Sequence, residues 1–215
     1  MRLIRPRGFD RLAHIYRALE YLAFGRDLER ARFVHLERLR NCSSILVLGE
    51  GDGRCLARLV QVAPEAKVDI LDSSPAMLAC ASQRISGSEA TNRVTFLQAD
   101  LLTYELPAVR YDAVVTFFFL DCFTEAQADG LIARIQRSLR PGALWLWADF
   151  ALPERGYRRL RANVWLTLLY AYFRWQAGVV ARSLPPMESL FAAHGYRAVA
   201  AHSFQQGLLR SVVWQ

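Results

Sequence analysis

With 215 residues, the chain has room for one domain with a sizeable core, or one domain and a cap. Net charge is +7, yet Lys67 is the only lysine, and the arginines are scattered among acids, as in Arg26-Asp27-Leu28-Glu29-Arg30. A nucleic-acid footprint concentrates its charge, so no nucleic-acid partner is expected, although a basic surface still favours anions.

No apolar run approaches the roughly 18 residues of a membrane span. The start of the chain carries arginines without an apolar signal core, and a cytoplasmic protein is expected. Cys42, Cys55, Cys80 and Cys122 lie in apolar segments without C-x-x-C spacing, which reads as buried, reduced thiols. His14, His35, His194 and His202 lack metal-ligand spacing, and no metal is expected.

Residues 9–40 read as two helices forming an N-terminal cap over 1–40, the second an amphipathic stretch from Leu28 to Leu39. The run Ile45-Leu46-Val47-Leu48 reads as a buried strand. It enters Gly49-Glu50-Gly51-Asp52-Gly53, and a helix follows over roughly 53–62. A strand over 67–71 ends at Asp72, and Ser73-Ser74-Pro75 starts a helix running to Ile85. Strands over 93–99 and 111–117, a helix over 124–139 and a strand over 143–148 after the turn Arg140-Pro141-Gly142 continue the alternation. A short helix after Pro185-Pro186, a strand from Tyr196 to about Phe204, a turn and a strand from Leu208 to Trp214 end the chain. Strands joined this tightly run antiparallel. The expected fold is α/β: a Rossmann-like, seven-stranded, mostly parallel sheet with an antiparallel last strand and helices on both faces.

The segment 151–183 reads as a substrate or lid insertion in a domain spanning 41–215. Tyr157-Arg158-Arg159-Leu160-Arg161 is basic, and the stretch from Val164 to Trp175 is aromatic and apolar. A helix apolar nearly all round must be covered by protein, ligand, membrane surface or a second subunit. A packed lid, a lipophilic pocket, a peripheral membrane contact and a homodimer all stay open.

The glycine loop does not match the dinucleotide fingerprint. From Gly49 the third glycine falls on Arg54, and from Gly51 on Leu56. Ligands of open α/β sheets bind beyond the carboxyl ends of the strands, where Asp72 can accept ribose hydroxyls and Asp100 can face an adenine amino group. Either acid could instead cap the following helix.

From Asn41 to Gln215 the chain resembles the class I S-adenosylmethionine (SAM) dependent methyltransferases. The resemblance rests on Ile45–Gly53, Val68–Met77, Val94–Leu101, Tyr111–Phe119 and Arg140-Pro141-Gly142-Ala143. Phe9-Asp10-Arg11-Leu12-Ala13, followed by Tyr16, is similar to the opening of the ubiquinone/menaquinone-biosynthesis-like members. The resemblance implies SAM as cofactor and a small-molecule methyl acceptor. By it, Gly49, Glu50 and Gly51 would face the methionine moiety with Tyr16 near its end, and Asp72 the ribose. Ser73 and Met77 would flank ribose and adenine, Asp100 and Leu101 would form the adenine rim, and Thr116 and Phe117 would lie under the sulfonium. Val47 stands where the class usually has an acid, so either Glu50 or Asp52 takes over that charge or cofactor affinity is weakened. The fourth strand ends without Asn-Pro-Pro-Tyr, which argues against base or glutamine nitrogens as acceptors.

A sulfonium methyl is already activated, so alignment and exclusion of water supply most of the rate, and a hydroxyl acceptor must also lose a proton. Asp121 is the first candidate for base or substrate anchor, with His14 and Tyr16 behind it. Asp121 could equally cap the next helix together with Thr124. A scaffold that binds SAM without catalysis, or a nucleotide-dependent oxidoreductase, are the other readings.

Overall fold

The computed structural model describes residues 25–151 and 184–215, so the segment expected to form the lid and the first helix of the cap, with His14 and Tyr16, lie outside the described residues. Helices α1 (Asp27–Phe33), α2 (Arg54–Val62), α3 (Pro75–Ile85), α4 (Glu125–Ser138) and α5 (Met187–Ala193) accompany seven strands. These are β1 (Ser44–Leu48), β2 (Lys67–Asp72), β3 (Val94–Gln98), β4 (Tyr111–Phe117), β5 (Leu139–Phe150), β6 (Ala198–Phe204) and β7 (Leu209–Trp214).

They form one sheet in the order β3-β2-β1-β4-β5-β7-β6, with β1 to β5 parallel and β7 antiparallel to both its neighbours. The sheet is the expected one. Alternate residues of each strand supply two cores. Ile45, Val47, Ile70 and Val115 face α2 and α3, whereas Leu46, Val114, Trp145 and Trp147 face α4 and α5.

Three local departures have physical causes. The expected helix over 28–39 stops at Phe33 and resumes as a 3₁₀ turn, Leu36–Leu39, so that Ala31, Leu36 and Leu39 all reach the core of the sheet. The fifth strand is longer than its apolar run. Tyr111 pairs with Leu139 and Ala113 already with Leu144, so Arg140-Pro141-Gly142 is a bulge within β5 rather than a turn before it. All four cysteines are free, but only Cys55 is fully buried and the others are half-buried.

Asp112 locks the far end of the sheet. One carboxylate oxygen accepts the Ser43 hydroxyl at 2.5 Å and the Ser43 and Ser44 amides at 2.9 and 3.0 Å, while the other accepts Arg140 at 2.6 Å. Arg134 does similar work near the site, donating from α4 to the carbonyls of Leu102 (2.7 Å) and Tyr104 after β3. Among the described residues no helix is long and apolar enough to cross a membrane.

Candidate active site

The carboxyl ends of β1, β2 and β3 are stitched into one rim. The Gly49 amide donates to the Leu71 carbonyl (3.0 Å), and the Ala99 amide to the Asp72 carbonyl (3.1 Å). This brings the glycine loop, Asp72 and Asp100 to the same edge. The loop turns three times through left-handed backbone, with φ of +68, +69 and +83 at Gly49, Gly51 and Gly53. At Gly49 a Cβ would stand 2.3 Å from Phe119 Cδ2, so the aromatic ring requires glycine there. At Gly51 a Cβ would meet nothing within 4 Å, which leaves backbone facing open space.

Each strand-end acid closes a local turn. Asp72 Oδ1 accepts the Ser74 amide at 2.9 Å, and Asp100 Oδ1 accepts the Leu102 amide at 2.9 Å. Helix capping falls to a neighbour: the Ser74 hydroxyl accepts the Met77 amide at 3.3 Å, with Pro75 in the first turn. Ser73 is exposed and Met77 half-buried beside Asp72, whereas Leu101 is buried in the core under α4.

The acids of the loop are committed differently from the sequence expectation. Glu50 folds back so that its Oε1 accepts the Leu56 amide at 2.7 Å in the first turn of α2. The residue is partly exposed but its carboxyl group is enclosed. That burial pushes its pKa up to about 8, against the pull of the Leu56 amide and the Arg32 guanidinium. Asp52 is held by Arg54 at 3.0 Å and Arg84 at 3.4 Å. Neither carboxyl is therefore a plain replacement for the acid missing at Val47: one caps a helix and the other ties the loop to α3.

Thr116 also differs from expectation. It is wholly buried, and its hydroxyl accepts the Trp145 indole N–H at 2.8 Å in the core facing α4 and α5, so it offers no surface to a cofactor. Phe117 is 8% exposed and packs on the opposite face of the sheet. The residues that follow turn back over the rim. Phe118 sits at φ +54, a strained value for a non-glycine, with its ring between Phe150 (5.4 Å) and the Arg32 guanidinium (4.8 Å).

This turn delivers Asp121, which is 7% exposed. It is not the cap of α4. Thr124 is, in a reciprocal box with Gln127: the Gln127 amide donates to the Thr124 hydroxyl (3.4 Å) and the Thr124 amide to Gln127 Oε1 (3.0 Å). The Asp121 backbone N–H instead donates to Asp149 Oδ2 at 3.1 Å. Asp149 has 0% exposure, and its Oδ1 accepts the Phe150 amide at 3.0 Å. Burial raises the pKa of Asp121, and burial followed by the Asp121 charge raises that of Asp149 well beyond the usual carboxylate range. The Cys122 thiol donates to Asp121 Oδ1 at 3.5 Å, and burial, then the charges of Asp121 and Asp149, push its pKa up.

Sequence reading missed Asp149 because the apolar run stops at Ala148. The rule that picked out Asp72 and Asp100, an acid closing a strand, would have found it one residue further on. Among the described residues no group of His, Cys, Asp and Glu is placed to hold a metal ion.

A family profile described as "Methyltransferase domain" matches residues 45–142. The chain is 29% identical over 201 residues to trans-aconitate 2-methyltransferase of Azoarcus sp. (strain BH72), covering 91% of this chain and 72% of that protein. It is 31% identical over 99 residues to the uncharacterised methyltransferase YdaC of Bacillus subtilis (strain 168), covering 46% of this chain and 51% of the other. The structure of mitomycin 7-O-methyltransferase MmcR superposes with a TM-score of 0.68 at 18% identity, over 96% of this chain and 60% of that one. An O-methyltransferase family protein from Burkholderia thailandensis gives 0.70 at 16% identity, over 96% and 57%. The chain thus spans less than two thirds of the length of these solved proteins.

The domain matched over residues 45–142 and the fold are those found in SAM-dependent methyltransferases, whose cofactor is SAM. The residues present fit that cofactor. An open glycine backbone at Gly51 lies on the same rim as two acceptor-only carboxylates, and a nucleoside brings hydroxyl and amino donors.

Proposed function

We propose that this chain methylates an oxygen, nitrogen or sulfur atom of a small, lipophilic or aromatic acceptor. Gly49 and Gly51 would lie along the methionine moiety, with Asp72 and Ser73 on the ribose and Met77, Asp100 and Leu101 around the adenine. Glu50 would act there through the loop it caps, Phe117 through the strand end, and Tyr16 and His14 from the cap. When bound, SAM supplies a methyl group that needs no further activation. The protein's share is alignment, exclusion of water and removal of the acceptor's proton.

The observation that carries this reading is the buried Asp121 carboxyl beyond β4, which receives the Cys122 thiol and leaves the capping of α4 to Thr124. A hydroxyl, thiol or amine acceptor has a proton to lose, and Asp121 can receive it. The curated relative's name points to a carboxylate acceptor instead. A carboxylate has no proton to give, and a buried acidic pair would repel it, so the neutral nucleophile is favoured. Phe118, Phe119, Phe123 and Phe150 beside the turn support an apolar acceptor.

A thermal-shift comparison with SAM, its demethylated product and NAD tests the cofactor assignment through mass action. SAM and its product should raise the midpoint. Stabilisation by NAD alone would establish the oxidoreductase reading, and no response to any of the three would leave a scaffold. For the base, methyl transfer from labelled SAM to a panel of phenol, thiol and amine probes should fall about 100-fold or more in Asp121→Asn, with SAM binding unchanged.

A further inference from the structure

We propose that His35 and His202 form a proton-sensitive latch, which holds α1 and the 3₁₀ turn after it on β6 and β7 while both rings are neutral and loosens them when acid charges the rings. Neither the cofactor nor the methyl acceptor enters it.

His35 is the residue at which the chain leaves α1 for the 3₁₀ turn, and His202 stands on β6 opposite Ser211 of β7. Their ring centroids are 6.3 Å apart with the planes at 67°, an edge-on contact, and the Phe204 ring lies 5.4 Å from that of His202. The other end of α1 is tied down by Gln205, which donates to Asp27. Between the two ties Leu28, Ala31, Leu36 and Leu39 are buried. A neutral imidazole suits such an aromatic contact, but a charged one does not. Protonation makes both ring nitrogens donors, and His35 Nε2 is buried without a hydrogen-bond partner. A second charge on His202 at this distance would repel the first.

The groups around the rings do not rescue the charge. Arg38 on the same 3₁₀ turn is basic, and β6 carries no carboxylate. Of the acids on the elements packed here, Asp27 is held by Arg30 at 3.2 Å, and Glu37 by Arg40 at 2.7 Å and by Arg58 of α2 at 3.4 Å. Glu29 sits back in the first turn of α1, and Arg210 of β7 is engaged by Glu188 at 2.9 Å. Burial lowers the pKa of His35 below 6.5 against the pull of the Ser211 backbone, and Arg38 and His202 lower it further. The released ring therefore binds a proton more tightly than the latched one. The latch is complete above pH 6.5 and is lost as pH falls through the lowered value.

The consequence reaches the rim. α1 lays Arg32 over the Phe118 ring at 4.8 Å, one residue before the Phe119 ring that abuts Gly49, so loosening α1 withdraws cover from the turn beside the glycine loop. His194, the other described histidine, lies beyond α5 beside Asp129 at 2.8 Å and has no part in the latch.

The test is amide hydrogen exchange on the full chain at pH 7.5 and pH 5, corrected for intrinsic rates, together with an NMR titration of the histidine rings. Protection over residues 28–39 should fall about tenfold or more relative to β1 at the lower pH. In His35→Gln, whose side chain stays neutral, that extra loss should vanish. The His35 ring should titrate below 6.5, and at a higher pH in His202→Gln than in the wild type. Level protection across the range, loss in parallel with β1, or equal loss in His35→Gln overturns the latch. A His35 ring that titrates at or above 6.5 in the wild type also overturns it, and that reading needs no variant to fold.

Discussion

The Phe119 ring lies so close to the Gly49 backbone that a single added methyl would stand 2.3 Å from its Cδ2. The end of β1 and the turn after β4 are thereby held face to face, and the glycine loop and the Asp121 turn form one unit. Gly49→Ala adds both a clash and a left-handed φ of +68. We expect a loss of about 1–3 kcal/mol, seen as a lower melting midpoint, together with weaker SAM binding.

Glu50 makes stability depend on pH. Its folded-state pKa is raised from 4.5 to about 8, so the folded chain holds this proton more tightly than the unfolded one. The associated stability is complete below the unfolded value and is lost as pH rises through the folded one. Wild-type melting temperature should therefore fall between pH 5 and 8 more steeply than that of Glu50→Gln, whose amide oxygen still accepts the Leu56 N–H. Parallel curves would show the carboxyl is solvated.

Asp112 has the opposite sign. Burial works against its charge, but the Ser43 hydroxyl, Arg140 and the Ser43 and Ser44 amides outweigh it and lower the pKa to about 2. This stability is present above the unfolded value of 3.8 and is lost as pH falls toward 2. Asp112→Asn should lower the melting midpoint at pH 7, converge with the wild type below pH 3 and leave SAM affinity unchanged, because the lock lies at the far end of the sheet.

Thr124→Ala removes the N-cap of α4. The box with Gln127 is worth about 1 kcal/mol. The variant should lose that stability in denaturant melts while methyl transfer persists. Loss of transfer equal to that of Asp121→Asn would mean that the cap, not the carboxyl, is what the turn supplies.

Much of this was legible in the sequence because it is local. Apolar runs ending in acids marked the parallel strands, and Ser74-Pro75 marked the start of α3. Sequence reading faltered where partners are remote. Nothing near Thr116 shows that its hydroxyl belongs to Trp145, and nothing near Asp121 shows that its backbone N–H belongs to Asp149. The competition between Asp121 and Thr124 for the N-terminus of α4 is decided by Gln127, whose spacing from Thr124 makes a capping box that sequence reading passed over. The loop acids misled for another reason: a carboxylate beside a glycine turn can serve the helix behind it as readily as a ligand in front.

If the glycine-loop rim with Asp72 holds SAM, calorimetric titration of SAM should find one site in the wild type and an affinity reduced about 100-fold or more in Asp72→Ala, through loss of a charged acceptor for the ribose hydroxyls. Equal affinities in the two proteins would remove Asp72 from the cofactor site.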